Sequence, residues 1–141
     1  MDLGLKGKVA VVTGASVGIG LGVAEAFARE GAHVVMAARG EERLAKEADR
    51  IAGDHGVRAL PVACDVATVG GADRLAEAVR GAFGGADILV NNAGTGSNET
   101  IMEAPDEKWQ AYWELHVMAA VRLARAFVPM MRERGGGAIL H

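Results

Sequence analysis

Apolar residues in this chain follow two rhythms. Five short runs are apolar almost throughout: Val9–Val12, His33–Ala38, Arg58–Cys64, Asp87–Val90 and Ala138–His141. A strand covered on one face alternates apolar with polar positions, whereas a parallel strand covered on both faces does not, so these runs read as buried parallel strands. Between them the apolar positions adopt helical spacing. The first predicted helix starts near Gly18 and ends at Gly31, with Ile19, Val23 and Phe27 on one face. The second covers Glu41 to Ala52 and is closed by Gly53; the third covers Ala72 to Phe83 and is closed by Gly84 and Gly85.

The fourth predicted helix is the longest. Pro105, Asp106 and Glu107 suit its first turn, while Arg132 and Arg134 before Gly135 suit the opposite end of its dipole. Trp109, Trp113, His116, Ala120, Leu123 and Phe127 are spaced to form one continuous stripe, which reads as packing surface. Strand and helix thus alternate with no repeat and no linker. That order predicts an α/β fold, a Rossmann-type doubly wound parallel sheet in three α/β/α layers, as a single domain over residues 1–141. The fifth run is short and no helix follows it. The sheet is therefore expected to be truncated after its fifth strand, as the N-terminal part of a longer fold.

Composition narrows the function classes. Half the residues are hydrophobic and 23% are charged, as in soluble globular domains. A net charge of −3, with both signs interspersed, gives no reason to expect nucleic acid or an anionic membrane as partner. No apolar run approaches the roughly 18–20 residues of a membrane span. The single cysteine, Cys64, has no internal disulfide partner, which fits a reducing cytoplasm; in a buried strand it is expected to be inert. The 20 glycines fall at turns and read as backbone geometry.

The densest chemistry lies in Thr13–Gly20, TGASVGIG, between the first strand and the first helix. Gly14 lets the chain turn sharply off the strand. Gly18 and Gly20 remove side chains where the helix packs close and where a phosphate approaches backbone N–H groups. Ser16 adds a hydroxyl, and the helix N-terminus adds partial positive charge, so a pyrophosphate is the natural guest. A tight turn with no ligand is the alternative.

Thr13-Gly14-Ala15-Ser16-Val17-Gly18-Ile19-Gly20, followed by Cys64-Asp65-Val66 and by Asn91-Asn92-Ala93-Gly94 after the fourth strand, resembles the classical short-chain dehydrogenase/reductase family along the whole chain. The resemblance implies a nicotinamide dinucleotide and hydride transfer between a small-molecule alcohol and a carbonyl. It makes Gly14, Ser16, Val17, Gly18, Ile19 and Gly20 the pyrophosphate loop. It places Asp65 on the adenine amino group with the Val66 N–H assisting, and Asn92, Ala93 and Gly94 along the adenosine ribose. Asp65 as a loop acid capping the next helix, and the asparagines as plain turn residues, stay open. No metal site is expected. The resemblance also implies a homodimer or homotetramer built through the long fourth helix.

The second strand bears on the choice of cofactor. NAD enzymes of this architecture present an acid about 20 residues past the first glycine. Here the strand ends Ala37-Ala38-Arg39, and a guanidinium suits a 2′-phosphate, so NADP is favoured and NAD is the alternative. The family often has a second basic residue at the position of Val17, so the clamp has one arm. A surface pair between Arg39 and Glu41 or Glu42 is the competing role. Where the family's long helix carries an Asn that holds a water, this chain has His116, equally readable as a hydrogen-bonded core histidine.

The family's proton transfer requires Tyr-x-x-x-Lys and a Ser. The only tyrosine, Tyr112, is followed four positions later by His116, so no catalytic residue is assigned within the chain. A non-catalytic dinucleotide-binding module, or an inactive fragment, is the alternative function.

Overall fold

The computed structural model describes residues 1–141. Five strands, β1 (Val9–Thr13), β2 (His33–Ala38), β3 (Ala59–Ala63), β4 (Ile88–Val90) and β5 (Ala138–Leu140), form one parallel sheet in the order β3-β2-β1-β4-β5. Helices α1 (Gly18–Arg29), α2 (Glu41–His55), α3 (Val69–Phe83), α4 (Asp106–Trp113) and α5 (Ala119–Glu133) connect them; one turn of π-helix, Glu114–Met118, joins α4 to α5.

Alternate residues of each strand feed opposite faces, and helices cover both. Val9, Val11, Val35 and Leu89 pack with Leu75 and Val79 of α3 and with Leu123 and Phe127 of α5. Ala10, Val12, Val34, Met36 and Val90 pack with Ala24 and Ala28 of α1 and with Leu44 and Ile51 of α2. Two cores on one sheet explain why the strand runs are apolar throughout. No helix is long and apolar enough to cross a membrane.

Several element details depart from the sequence expectation. The α1 residues fully buried against the sheet are Gly20, Ala24 and Ala28; of the expected face, Val23 and Phe27 pack half-buried against that core, and Ile19 is 79% exposed. Small residues win because they let α1 approach the strands closely. α2 runs through Gly53 and ends at Gly56, whose φ of 66° is the left-handed closure that Gly53 was expected to supply. α3 starts three residues before Ala72, because Thr68 accepts a hydrogen bond from the Gly71 N–H at 3.0 Å and caps it.

The stripe on the fourth helix is broken. In the π turn the Ala119 N–H bonds the Glu114 carbonyl, five residues back, so the faces upstream and downstream fall out of register. Leu123 and Phe127 are buried as expected, joined by Ala119 rather than Ala120, but Trp109 and Trp113 lie 54% and 53% exposed. β5 pairs only with β4, and it leaves Ala138 and Leu140 exposed while Ile139 packs on the core.

Candidate functional site

The strand order runs outward from β1 in both directions, so the loops after β1 and β4 diverge around a crevice at the carboxyl end of the sheet, where such folds bind ligands. Gly14 opens the first loop at φ 67°, and a Cβ there would come within 3.0 Å of the Ala93 Cα. A Cβ on Gly20 would overlap the Gly14 carbonyl and the Asn92 amide, so α1 begins only as far from β1 as hydrogen allows. Gly18 is required for a different reason: its φ is 59°, although the space beside it is open.

Thr13 and Asn92 lock the two loops together. The Thr13 hydroxyl, on a residue 1% exposed, accepts the N–H groups of Asn92 (3.1 Å) and Ala93 (3.0 Å). The Asn92 side-chain amide donates to the carbonyls of Thr13 (3.1 Å) and Gly14 (3.2 Å). Asn92 therefore acts as a brace across the switch point rather than as an ordinary turn residue.

These loops, with those after β2 and β3, enclose an open cleft of about 850 Å³. Gly14, Ser16, Val17, Gly18, Ile19, Gly20, Arg39, Asp65, Val66, Asn92, Ala93 and Gly94 all line it. Its floor at the first loop is electropositive. α1 has no side-chain cap, and its first turn carries no acid, so its leading N–H groups face the cleft without a protein acceptor. Arg39 is exposed at the rim and enters none of the chain's ion pairs, so the surface pairing with Glu41 or Glu42 does not form. Asp65 accepts the Ala67 N–H on Oδ1 at 3.0 Å, and its other carboxylate oxygen has no protein partner; the helix cap is Thr68 instead. Cys64 also lines the cleft, and burial pushes its thiol pKa up, keeping it protonated.

His116 is not in the core. It is carried by the π turn, exposed, with Nε2 2.8 Å from the Thr95 carbonyl and its ring against Gly94, where a Cβ would stand 2.7 Å from Cε1. Tyr112 meets this ring edge-on at 5.9 Å and lines the cleft together with Leu115. A smaller cavity of about 250 Å³ adjoins it, lined by Asn91, His116 and His141 among others. Sequence reasoning did not single out Thr13, Tyr112 or Leu115 as site residues. A lone hydroxyl ending an apolar strand marks Thr13; nothing short of the π turn reveals which side of the helix Tyr112 and Leu115 occupy.

The family model for short chain dehydrogenases matches residues 8–141. The L-sorbose reductase of Gluconobacter frateurii, solved with NADPH and L-sorbose, is 68% identical with a TM-score of 0.97, over 99% of this chain and 53% of that one. An alcohol dehydrogenase from the archaeon Thermococcus sibiricus, solved with 5-hydroxy-NADP, is 32% identical with a TM-score of 0.90, over 95% of this chain and 57% of that one. D-beta-hydroxybutyrate dehydrogenase of Cupriavidus necator is 35% identical over 97% of this chain and 53% of its own length. The chain spans about half the length of the curated relatives it matches. With that match and this cleft, the chain belongs to the short-chain dehydrogenase family of oxidoreductases.

Proposed function

We propose that residues 1–141 form one dinucleotide-binding unit, the NADP(H)-binding part of a cytoplasmic reductase that interconverts a ketose, such as L-sorbose, with its alcohol. The observation that carries this reading is that the unpaired guanidinium of Arg39 and the uncapped N-terminus of α1 open on the same cleft. Two phosphate-seeking groups on one rim suit a dinucleotide bearing a 2′-phosphate. The free oxygen of Asp65 suits an exocyclic amine, and Val66 lines the same cleft. The identity of 68% to a reductase solved with NADPH and L-sorbose supports both the cofactor and the substrate class.

In this reading, Gly14 to Gly20 receive the pyrophosphate, Arg39 the 2′-phosphate, Asp65 and Val66 the adenine, and Asn92 to Gly94 the adjoining ribose. The bound cofactor supplies the hydride for the carbonyl carbon. Within this chain the residues bind and orient; none of them is assigned the proton transfer. His116 holds the Gly94–Thr95 backbone that closes the cleft on the π-turn side. The unit assembles as a homodimer or homotetramer through α4 and α5.

The test is a fluorescence titration of wild type and Arg39→Asp. The substitution is expected to weaken NADPH binding by roughly tenfold or more, the scale of one charge-assisted contact, and NADH binding by less than about threefold. Equal losses for both nucleotides, or no NADPH binding by the folded wild type, would overturn the proposal.

A further inference from the structure

Arg122 lies on α5, outside the cleft, yet it touches the backbone that forms the cleft's adenine end. Its Nη1 donates to the Ala67 carbonyl at 3.1 Å, and its Nη2 pairs with Glu114 Oε2 at 2.8 Å. Glu114 is the first residue of the π turn, and Gln110 holds its other oxygen at 3.1 Å. The side chains of Arg122 and Glu114 are 20% and 32% exposed, so both contacts are partly sheltered from water. Ala67 is gripped from two directions, its N–H by Asp65 and its carbonyl by Arg122. The Asp65–Ala67 bond spans Val66, 6% exposed, which lines both the large cleft and the smaller cavity.

We infer that Arg122 is a positioning residue for dinucleotide binding: it fixes the Asp65–Ala67 turn and fastens it to the π turn that carries His116. The inference rests on the dinucleotide reading above. Its physical basis is the fork of the guanidinium, which satisfies a carbonyl and a carboxylate at once. A lysine offers one ammonium and spans only one of the two. The π turn presents Glu114 to that fork, and a turn free to shift relative to residues 65–67 would widen the adenine end while leaving the phosphate loop untouched. Preorganisation of this kind appears as affinity, because a loop ordered beforehand need not be ordered on binding.

The experiment compares wild type, Arg122→Met, Arg122→Lys, Glu114→Gln and the Arg122→Met/Glu114→Gln double variant, all assayed below their own unfolding transitions. The readouts are NADPH affinity, affinity for adenosine 2′,5′-bisphosphate as an adenine-end probe, and hydrogen exchange at the Ala67 amide. Arg122→Met is expected to weaken both ligands by about tenfold and to speed Ala67 exchange in the free protein. Arg122→Lys is expected to recover part of the loss. Glu114→Gln is expected to weaken binding alone and to add little once Arg122 is gone, the non-additivity of residues acting as a unit.

A purely structural role would lower the unfolding temperature and leave affinity in the folded variants within about twofold of wild type; that result overturns the inference. If Arg122→Met does not fold, the lysine and Glu114→Gln variants decide the question by the same criterion. Wild-type protein that binds NADPH normally, with variants that bind it equally well, sinks the role of Arg122 alone. Wild-type protein that binds neither ligand sinks the dinucleotide reading, and this inference with it.

Discussion

At the scale of single residues, what holds the cleft open is mostly hydrogen bonding between backbones that side chains broker. Thr13 accepts two N–H groups from the loop after β4; the Asn92 N–H also reaches the Val90 carbonyl at 3.1 Å, but the Ala93 N–H bonds the Thr13 hydroxyl alone. Thr13→Val keeps the shape and deletes the acceptor. Stability to urea is expected to fall by about 1–2 kcal/mol, the cost of leaving the part-buried Ala93 amide unpaired, while Thr13→Ser retains most of it. The glycines and Asn92 are legible in the sequence through their pattern, three glycines between a strand and a helix and a doubled Asn before Ala-Gly at a strand end. Thr13 is less legible: its role depends on the loop after β4, about eighty positions away, lying beside it. His116 is harder still. The stripe suggests a place in the core, but the extra residue of the π turn takes it to the Thr95 backbone.

At the scale of elements, helix existence reads clearly from spacing, and helix ends do not, because several glycines compete for each closure. Gly53 and Gly56 separate the two roles. Gly53 lies inside α2 with open space around its Cα, so Gly53→Ala is expected to stabilise the fold by about 0.5–1 kcal/mol. Gly56 adopts φ 66°, so Gly56→Ala is expected to cost about 1 kcal/mol. Opposite signs in parallel urea melts confirm the helix end; equal signs contradict it. α2 is also clamped to α1, where both terminal guanidinium nitrogens of Arg50 reach Glu25 at 3.1 and 3.2 Å and His55 approaches at 3.4 Å. The Arg50 hydrogen bond, followed by that of His55, lowers the Glu25 pKa from the ordinary 4.5 to about 2. A carboxylate with a depressed folded-state pKa stabilises fully above the unfolded value and loses that contribution as pH falls toward 2. Glu25→Gln is therefore expected to flatten the stability profile between pH 4.5 and 2. The effect is small because the clamp faces water.

At the scale of the whole molecule, the layered α/β architecture is legible because a two-sided sheet forces continuous apolar strands. The strand order is not, since equally apolar strands carry no label for their neighbours; only the diverging loops after β1 and β4 reveal the switch point. Surface is where pattern misleads most. Trp109 and Trp113 have core spacing yet stand half in water, one helical turn apart, on α4. Large aromatic side chains exposed together are characteristic of contact surfaces, so α4 with α5 is the face through which copies of this chain are expected to associate. Sedimentation equilibrium on wild type and Trp109→Glu/Trp113→Glu tests this. A wild-type oligomer that the tryptophan substitutions reduce to monomer places the interface on α4 and α5. An oligomer that persists in the double variant contradicts it, because two carboxylates at the centre of an apolar helix face carry a desolvation cost that such an interface does not survive.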